Sequence, residues 1–217
     1  MAAPTIGNGT SANPTPGSSS HSINHNQDVG SNRLLVVLVT MSNTRSFTGA
    51  NYNGVGMTQL YQQNRSGLSQ RMALYYLENP DEGNNTLQIN FNGNQFNPIS
   101  IHARSFTDSG GVGASLRTGG QPTPHNGTLT VEDDSLIIMT SCSINAILSQ
   151  QIPTGASVAF VSHNTNRQVA TGALPSGAFN AGTINLRATS TSGNLTLDRT
   201  EIKGLSSGSD DDFMIFM

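Results

Sequence analysis

Hydrophobic positions along this chain fall into short runs, and the runs follow the two-residue period of strands, not the 3.6-residue period of helices. Arg33 to Thr40 (RLLVVLVT) is continuously apolar and β-branched, which predicts a central strand covered on both faces. Thr86 to Asn92 alternates, with Leu87, Ile89 and Phe91 on one face and Gln88 and Asn90 on the other. Comparable runs lie at Gly54 to Gln62, Gln70 to Leu77, Ile99 to Phe106, Gly127 to Val131, Ser135 to Cys142, Ser157 to His163, Gly182 to Ala188 and Asn194 to Lys203. Turn signals separate them at Glu78-Asn-Pro-Asp-Glu-Gly83, at Asn92-Gly93 and at the acidic Glu132-Asp133-Asp134. The glycine-rich segment Ser109 to Gln121 reads as a flexible loop, and Ile144 to Gln151 as a short helical turn. Short strands at this spacing predict an all-β fold, a two-sheet antiparallel β-sandwich of jelly-roll type. No repeat of about 20–50 residues signals a solenoid or propeller.

The two ends of the chain differ from this body. Residues 1–20 carry almost nothing to pack, and Pro4, Pro14 and Pro16 remove backbone donors among Gly and Ser. They read as an extended arm, disordered alone and able to lie as a strap on a partner. The sandwich is expected over 21–204. Residues 205–217 read as a tail in which Asp210, Asp211 and Asp212 precede five large apolar residues, Phe213, Met214, Ile215, Phe216 and Met217. A partner is therefore expected to contact the arm through Pro4, Ile6, Pro14 and Pro16. The tail would supply an acidic run and apolar plugs.

Composition supports the strand reading. Only 11% of the residues are charged, against about 25% in ordinary domains, and Gly, Asn, Ser and Thr take their place. The net charge of −3 argues against a nucleic-acid binder. Lys203 is the one lysine among ten basic residues, a bias toward arginine that suits partly buried or interfacial guanidinium groups. Cys142 is the only cysteine, so no internal disulfide forms, and its apolar run predicts a buried thiol. The first residues lack the charged and apolar regions of a signal peptide, and the Leu34 to Val39 run is too short to cross a bilayer. The expectation is a soluble protein made in a cytoplasm, without a membrane partner.

Catalytic chemistry finds little support in the residues. His21 and His25 lie four apart on a predicted strand, about 13 Å from each other, too far to share a metal. His102 and His163 have no carboxylate near them in sequence. The acids cluster at turns, without the alternating pattern of a calcium loop or a clear carboxylate pair for sugar cleavage. No Gly-x-Ser-x-Gly elbow is present, and the Gly110 to Gly120 stretch lacks the Gly-Lys-Ser/Thr ending of a phosphate loop. The chain reads as a non-enzyme with no cofactor and no metal. There is no Trp, and Tyr52 and Tyr61 are the aromatic residues left for a surface platform that could bind carbohydrate.

The order of segments is itself informative. Ser20 to Asn24 leads to Gly30-Ser-Asn-Arg33-Leu-Leu-Val-Val37, then Asn51-Tyr-Asn-Gly-Val-Gly-Met-Thr58, Ala73-Leu-Tyr-Tyr-Leu77 and Asn79-Pro-Asp-Glu-Gly83. This resembles a β-sandwich domain of bacteriophage structural proteins, in which an Asn-Arg-Leu-Leu-Val strand, a Tyr-Gly-Gly turn and a Tyr-Leu-x-Asn-Pro-x-x-Gly turn recur. Asn53-Gly54 stands where the family more often has two glycines. The resemblance covers roughly residues 20–105, continues weakly to about 204, and brings no catalytic residue with it. It implies a virion protein, first of all a capsid cement or decoration protein. Such a protein would bind the major capsid protein in many copies and stabilise contacts between capsomers, with self-association in the assembly. A tail, neck or fibre component and a carbohydrate-binding module are the alternatives.

Overall fold

Every side chain from Leu34 to Val39 is at most 1% exposed in the computed structural model, so this strand is covered on both faces as its unbroken apolar run predicts. The structure describes residues 2–42, 45–65, 70–120, 125–143, 147–152, 158–165, 168–175, 177–190 and 195–205. These residues are all-β, without a helix, and their antiparallel sheets pack as β-sandwiches. The first half holds β1 (Thr5–Ala12), β2 (Ser18–Gln27), β3 (Leu34–Ser42), β4 (Phe47–Tyr52), the two-residue β5 (Val55–Gly56), β6 (Thr58–Arg65), β7 (Gln70–Glu78), β8 (Gly83–Gln95) and β9 (Ile99–Thr107). The second holds β10 (Ser109–Gly120), β11 (His125–Val131), β12 (Leu136–Ser143), β13 (Ile147–Gln151), β14 (Val158–Thr165), β15 (Gln168–Leu174), β16 (Gly182–Ser190) and β17 (Leu195–Gly204).

Each half is a complete sandwich, and the two halves share one topology. In the first, an inner sheet β1-β9-β3-β7-β6 faces an outer sheet β2-β8-β4-β5; in the second, β10-β17-β12-β15-β14 faces β11-β16-β13. With β5 and β6 counted as one interrupted strand, both inner sheets run first-eighth-third-sixth-fifth and both outer sheets begin second-seventh-fourth. The jelly-roll connectivity is thus present twice. Register repeats too: Phe106 lies between Ile6 and Leu34 in the first half, and Ile202 between Val112 and Leu136 in the second.

Three cores separate the four layers. Leu35, Val37 and Val39 pack with Tyr75, Leu87 and Ile89 between the sheets of the first sandwich. The alternate residues Leu34, Val36 and Leu38 meet Leu136, Ile138 and Ile202 between the two inner sheets. Ile137 and Met139 turn the other way, to Leu129, Leu186 and Leu197 in the second sandwich. The inner strands therefore serve two cores each, which is why they read as continuous apolar runs. Tyr75 enters the first core, while its neighbour Tyr76 packs against the middle one.

Four segments differ from the sequence expectation. The presumed arm is not separate: β1 pairs with β9 over Thr5 to Ala12, Pro4 is buried and Ile6 packs into the middle core. Its glycines allow close contact, since Gly7 lies flush against the Asp28 carboxylate and Gly9 against the Arg104 guanidinium. The expected flexible loop from Ser109 is β10, for a similar reason. An added Cβ at Gly110 would overlap the Gly204 carbonyl oxygen, and one at Gly113 would overlap Glu201 Oε2. These glycines serve close packing on β17, not mobility. The expected helical turn contains β13, an edge strand on β16, and β8 runs through Asn92-Gly93 to Gln95 without turning. At Asn53-Gly54 the φ values of 48° and 79° give the paired positive angles of a tight hairpin turn.

Candidate functional site

The arrangement nearest to catalytic chemistry lies under β1. His25, on an inward position of β2, places Nε2 2.8 Å from Ser105 Oγ on β9 and Nδ1 2.9 Å from Thr10 Oγ1 on β1. Ser105 Oγ donates to Gln27 Oε1 at 3.1 Å. Both ring nitrogens thus meet hydroxyls and not a carboxylate, so the group lacks the acid that orients the base of a serine nucleophile. Both His25 and Ser105 are 0% exposed. Burial holds the imidazole pKa down at about 4, Asp28 opposing and Arg104 reinforcing the shift. This chain of hydroxyls and imidazole fastens β1 to the sandwich, as do His102 Nδ1 with Ser11 Oγ at 2.8 Å and Ser100 with Asn13.

A second polar group sits at the seam between the halves. Tyr61 on β6 bonds Thr140 Oγ1 at 2.9 Å, and the Arg117 guanidinium lies 4.7 Å above its ring. Arg117 Nε reaches Asp198 Oδ1 at 2.5 Å. Burial, with Asp198 adding to it, pushes the Tyr61 phenol well above its ordinary range. Tyr52 is 1% exposed, its hydroxyl 3.0 Å from the carbonyl oxygens of His25 and Gly83. Neither tyrosine is the surface aromatic that a carbohydrate platform requires, because both occupy positions directed at a core or a seam. Cys142 is buried, as its apolar run predicts.

Sequence reasoning passed over the charges inside β17. Glu201 is buried, and its carboxylate accepts from the Ala114 and Glu132 amides and from Ser135 Oγ. Arg199 is 0% exposed and donates from Nη2 to Thr118 Oγ1 at 2.6 Å, while Nε and Nη1 have no partner among the described residues. Burial pulls its pKa below the usual arginine value, with Asp198 pulling back. Its guanidinium lies against Gly127, where an added Cβ would overlap Nη2. Gly127→Ala is accordingly expected to cost about 2 kcal/mol or more by overpacking a buried charge; a denaturation midpoint equal to wild type would refute this. The signal was available in the sequence: Asp198, Arg199 and Glu201 interrupt a run otherwise patterned as a core strand.

The surface divides by charge. One end carries Asp28 after β2, Glu78 as the last residue of β7, Asp81 and Glu82 between β7 and β8, Asp108 between β9 and β10, and Glu132, Asp133 and Asp134 between β11 and β12. Against these eight carboxylates stand, among the described residues, two cations, Arg33 bonded to Glu82 at 2.8 Å and Lys203 bonded to Glu132 at 2.6 Å. Both halves share this end, since the Asp108 and Ser109 amides bond the Ser31 and Asn32 carbonyls and Leu205 bonds Ala2. The opposite end carries Arg45 before β4 and Arg65 and Arg71 at the β6–β7 turn. Among the described residues no Asp or Glu falls in a connector there. Between the ends, the outer sheet faces are nearly uncharged. Across the first, Ser22, Gln88 and Asn51 stand in one row, and Gln88 accepts from Asn51 Nδ2 at 3.1 Å. Across the second run Asn126, Arg187 and Gln151, on a groove of about 570 Å³ with Ile152 and Leu186.

No protein-family model, curated protein or solved structure matches this chain. The site residues expected from sequence separate into three groups. Pro4 is buried in the body, and Ile6 is half-buried against the middle core. Pro14 and Pro16 lie in the β1–β2 connection, half-buried and exposed respectively. Asp210, Asp211, Asp212 and Phe213 to Met217 fall outside the described residues. No group of three or more metal-ligating side chains occurs among the described residues.

Proposed function

We propose that the chain is a non-catalytic structural component of a bacteriophage particle, a capsid cement or decoration protein seated on the major capsid protein. The observation that supports this most is the back-to-back pairing of two sandwiches through one shared core. It gives a rigid body whose outer sheets face opposite ways, about 30 Å apart at the usual spacing of packed sheets. Each face presents amides and hydroxyls over a broad area. Such contacts are weak singly and gain strength by repetition across many subunits. The motifs that resemble phage structural domains, Asn32 to Val36 and Tyr76 to Gly83, build the first of these sandwiches. With residues 5–12 built into the body, attachment on this reading falls to the faces and ends, and to the tail sequence beyond Leu205.

Quantitative mass spectrometry of purified particles against the major capsid protein tests the reading. Copies on the order of hundreds per particle are expected for a component repeated with shell symmetry. A few to a few dozen would move the protein to the tail or neck. Its absence from particles would refute the structural role.

A further inference from the structure

We propose that copies of this chain associate head to tail, the acidic end of one on the arginine end of the next. The inference stands on the distribution of charge and does not rest on the particle reading. Antiparallel strands return every second turn to the same end, and eight carboxylates gather there with, among the described residues, two cations, each of which already holds one of them. The other end has arginines and, among the described residues, no carboxylate in its turns. A nine-residue strand such as β3 separates the ends by about 30 Å. That exceeds the ~8 Å Debye length at physiological ionic strength, so each end acts on a neighbour without cancelling the other.

The occupant follows from the pairing. A polyanion would satisfy the arginine end alone, and a basic protein the acidic end alone. A second copy satisfies both at once, and brings the uncharged outer faces of successive copies into continuous rows. The contact joins two different surfaces, so it is heterologous: it closes into a ring or continues as an open row, according to the rotation per step. Single exposed ion pairs contribute little, so affinity per contact is modest and strongly salt-dependent.

Sedimentation velocity of the full chain provides the test. The association constant is expected to fall at least ~10-fold between about 50 mM and about 500 mM salt, as screening shortens from over 10 Å toward 4 Å. Arg45→Glu with Arg65→Glu makes both ends acidic, and Glu78→Lys with Asp81→Lys makes the acidic end markedly less negative. Each variant alone is expected to lose association, and the two mixed in equal amounts to form a pair through the one native contact they still offer, the unaltered acidic end of the arginine variant on the unaltered arginine end of the lysine variant, which a folding defect could not do. Thermal melts of each variant check the fold. Should a reversed variant not fold, the neutral pairs Arg45→Gln with Arg65→Gln and Glu78→Gln with Asp81→Gln are each expected to weaken association. Monomeric wild type at low salt, association that persists at high salt, or neutral variants that associate like wild type would overturn the proposal. So would a mixture of folded reversed variants that stays monomeric.

Discussion

Deletion of residues 2–12 is expected to destabilise the body by about 4 kcal/mol, the scale of one buried aliphatic side chain plus several net hydrogen bonds. The deletion removes β1 from the inner sheet and Ile6 from the middle core. It also removes Thr10 from His25, the Asn8 contacts that Asp28 accepts at 2.6 and 2.7 Å, and the Gly7 carbonyl from Arg104. The strand left behind, β9, becomes a sheet edge with open donors and acceptors, so faster aggregation should accompany the loss. Denaturant titration and hydrogen exchange at β9 amides measure both effects. An unchanged midpoint with unchanged protection would mean that the segment is an independent arm after all. Ile6→Ser gives the point-mutant version, with a smaller loss in the same direction.

Stability is expected to fall as pH drops from about 6.5 to about 4, with His25 as the main source. An unfolded chain takes up the imidazole proton near the ordinary value of about 6.5, whereas the folded protein holds that pKa near 4. Between these values the unfolded state binds the extra proton, so the stabilisation present above pH 6.5 is lost as pH falls, by about 3 kcal/mol in all. His21, lowered by burial beside Phe91, adds in the same direction. Thermal melts across this window measure the slope. His25→Gln keeps an amide for Ser105 and Thr10 and removes the titration, so its curve should be flatter even though the variant is less stable throughout. An equal slope in wild type and variant would assign the acid sensitivity elsewhere.

Much of the strand content was legible because burial on two faces leaves a plain mark. Leu34 to Val39 and Leu136 to Met139 are apolar at every position, since alternate residues feed different cores. The cleanest alternation, Leu87, Ile89 and Phe91, belongs to an outer sheet with one wet face. Five strands escaped, β1, β4, β10, β13 and β15, and of these β1, β10 and β13 are built largely of glycines, hydroxyls and amides. Their pairing was decided by the edges offered by β9, β17 and β16. A local reading cannot tell a glycine that loosens a loop from one that lets two strands close together, and Gly110 and Gly113 are of the second kind. The tyrosines were misplaced on similar grounds, because Tyr52 and Tyr61 sit in short strands whose inward side depends on register.

Periodicity, Asn-Gly pairs and apolar runs act over a few residues, so the class of fold, several of its turns and the central strands were already written in the chain. So was the choice of which connectors are acidic and which hold arginine. That the jelly roll occurs twice emerged only from the folded molecule, since Leu34 opposite Phe106 and Leu136 opposite Ile202 are equivalent by register and not by a shared string of residues. Folding also sealed His25 and Ser105 beneath β1 and buried Arg199. It drew Asp28, Glu78, Asp108 and Asp134, far apart in the chain, to one end of the molecule. The reason is geometric: antiparallel pairing sends alternate turns to opposite ends, so charges spaced along the sequence become a polarity only once every strand has found its partner.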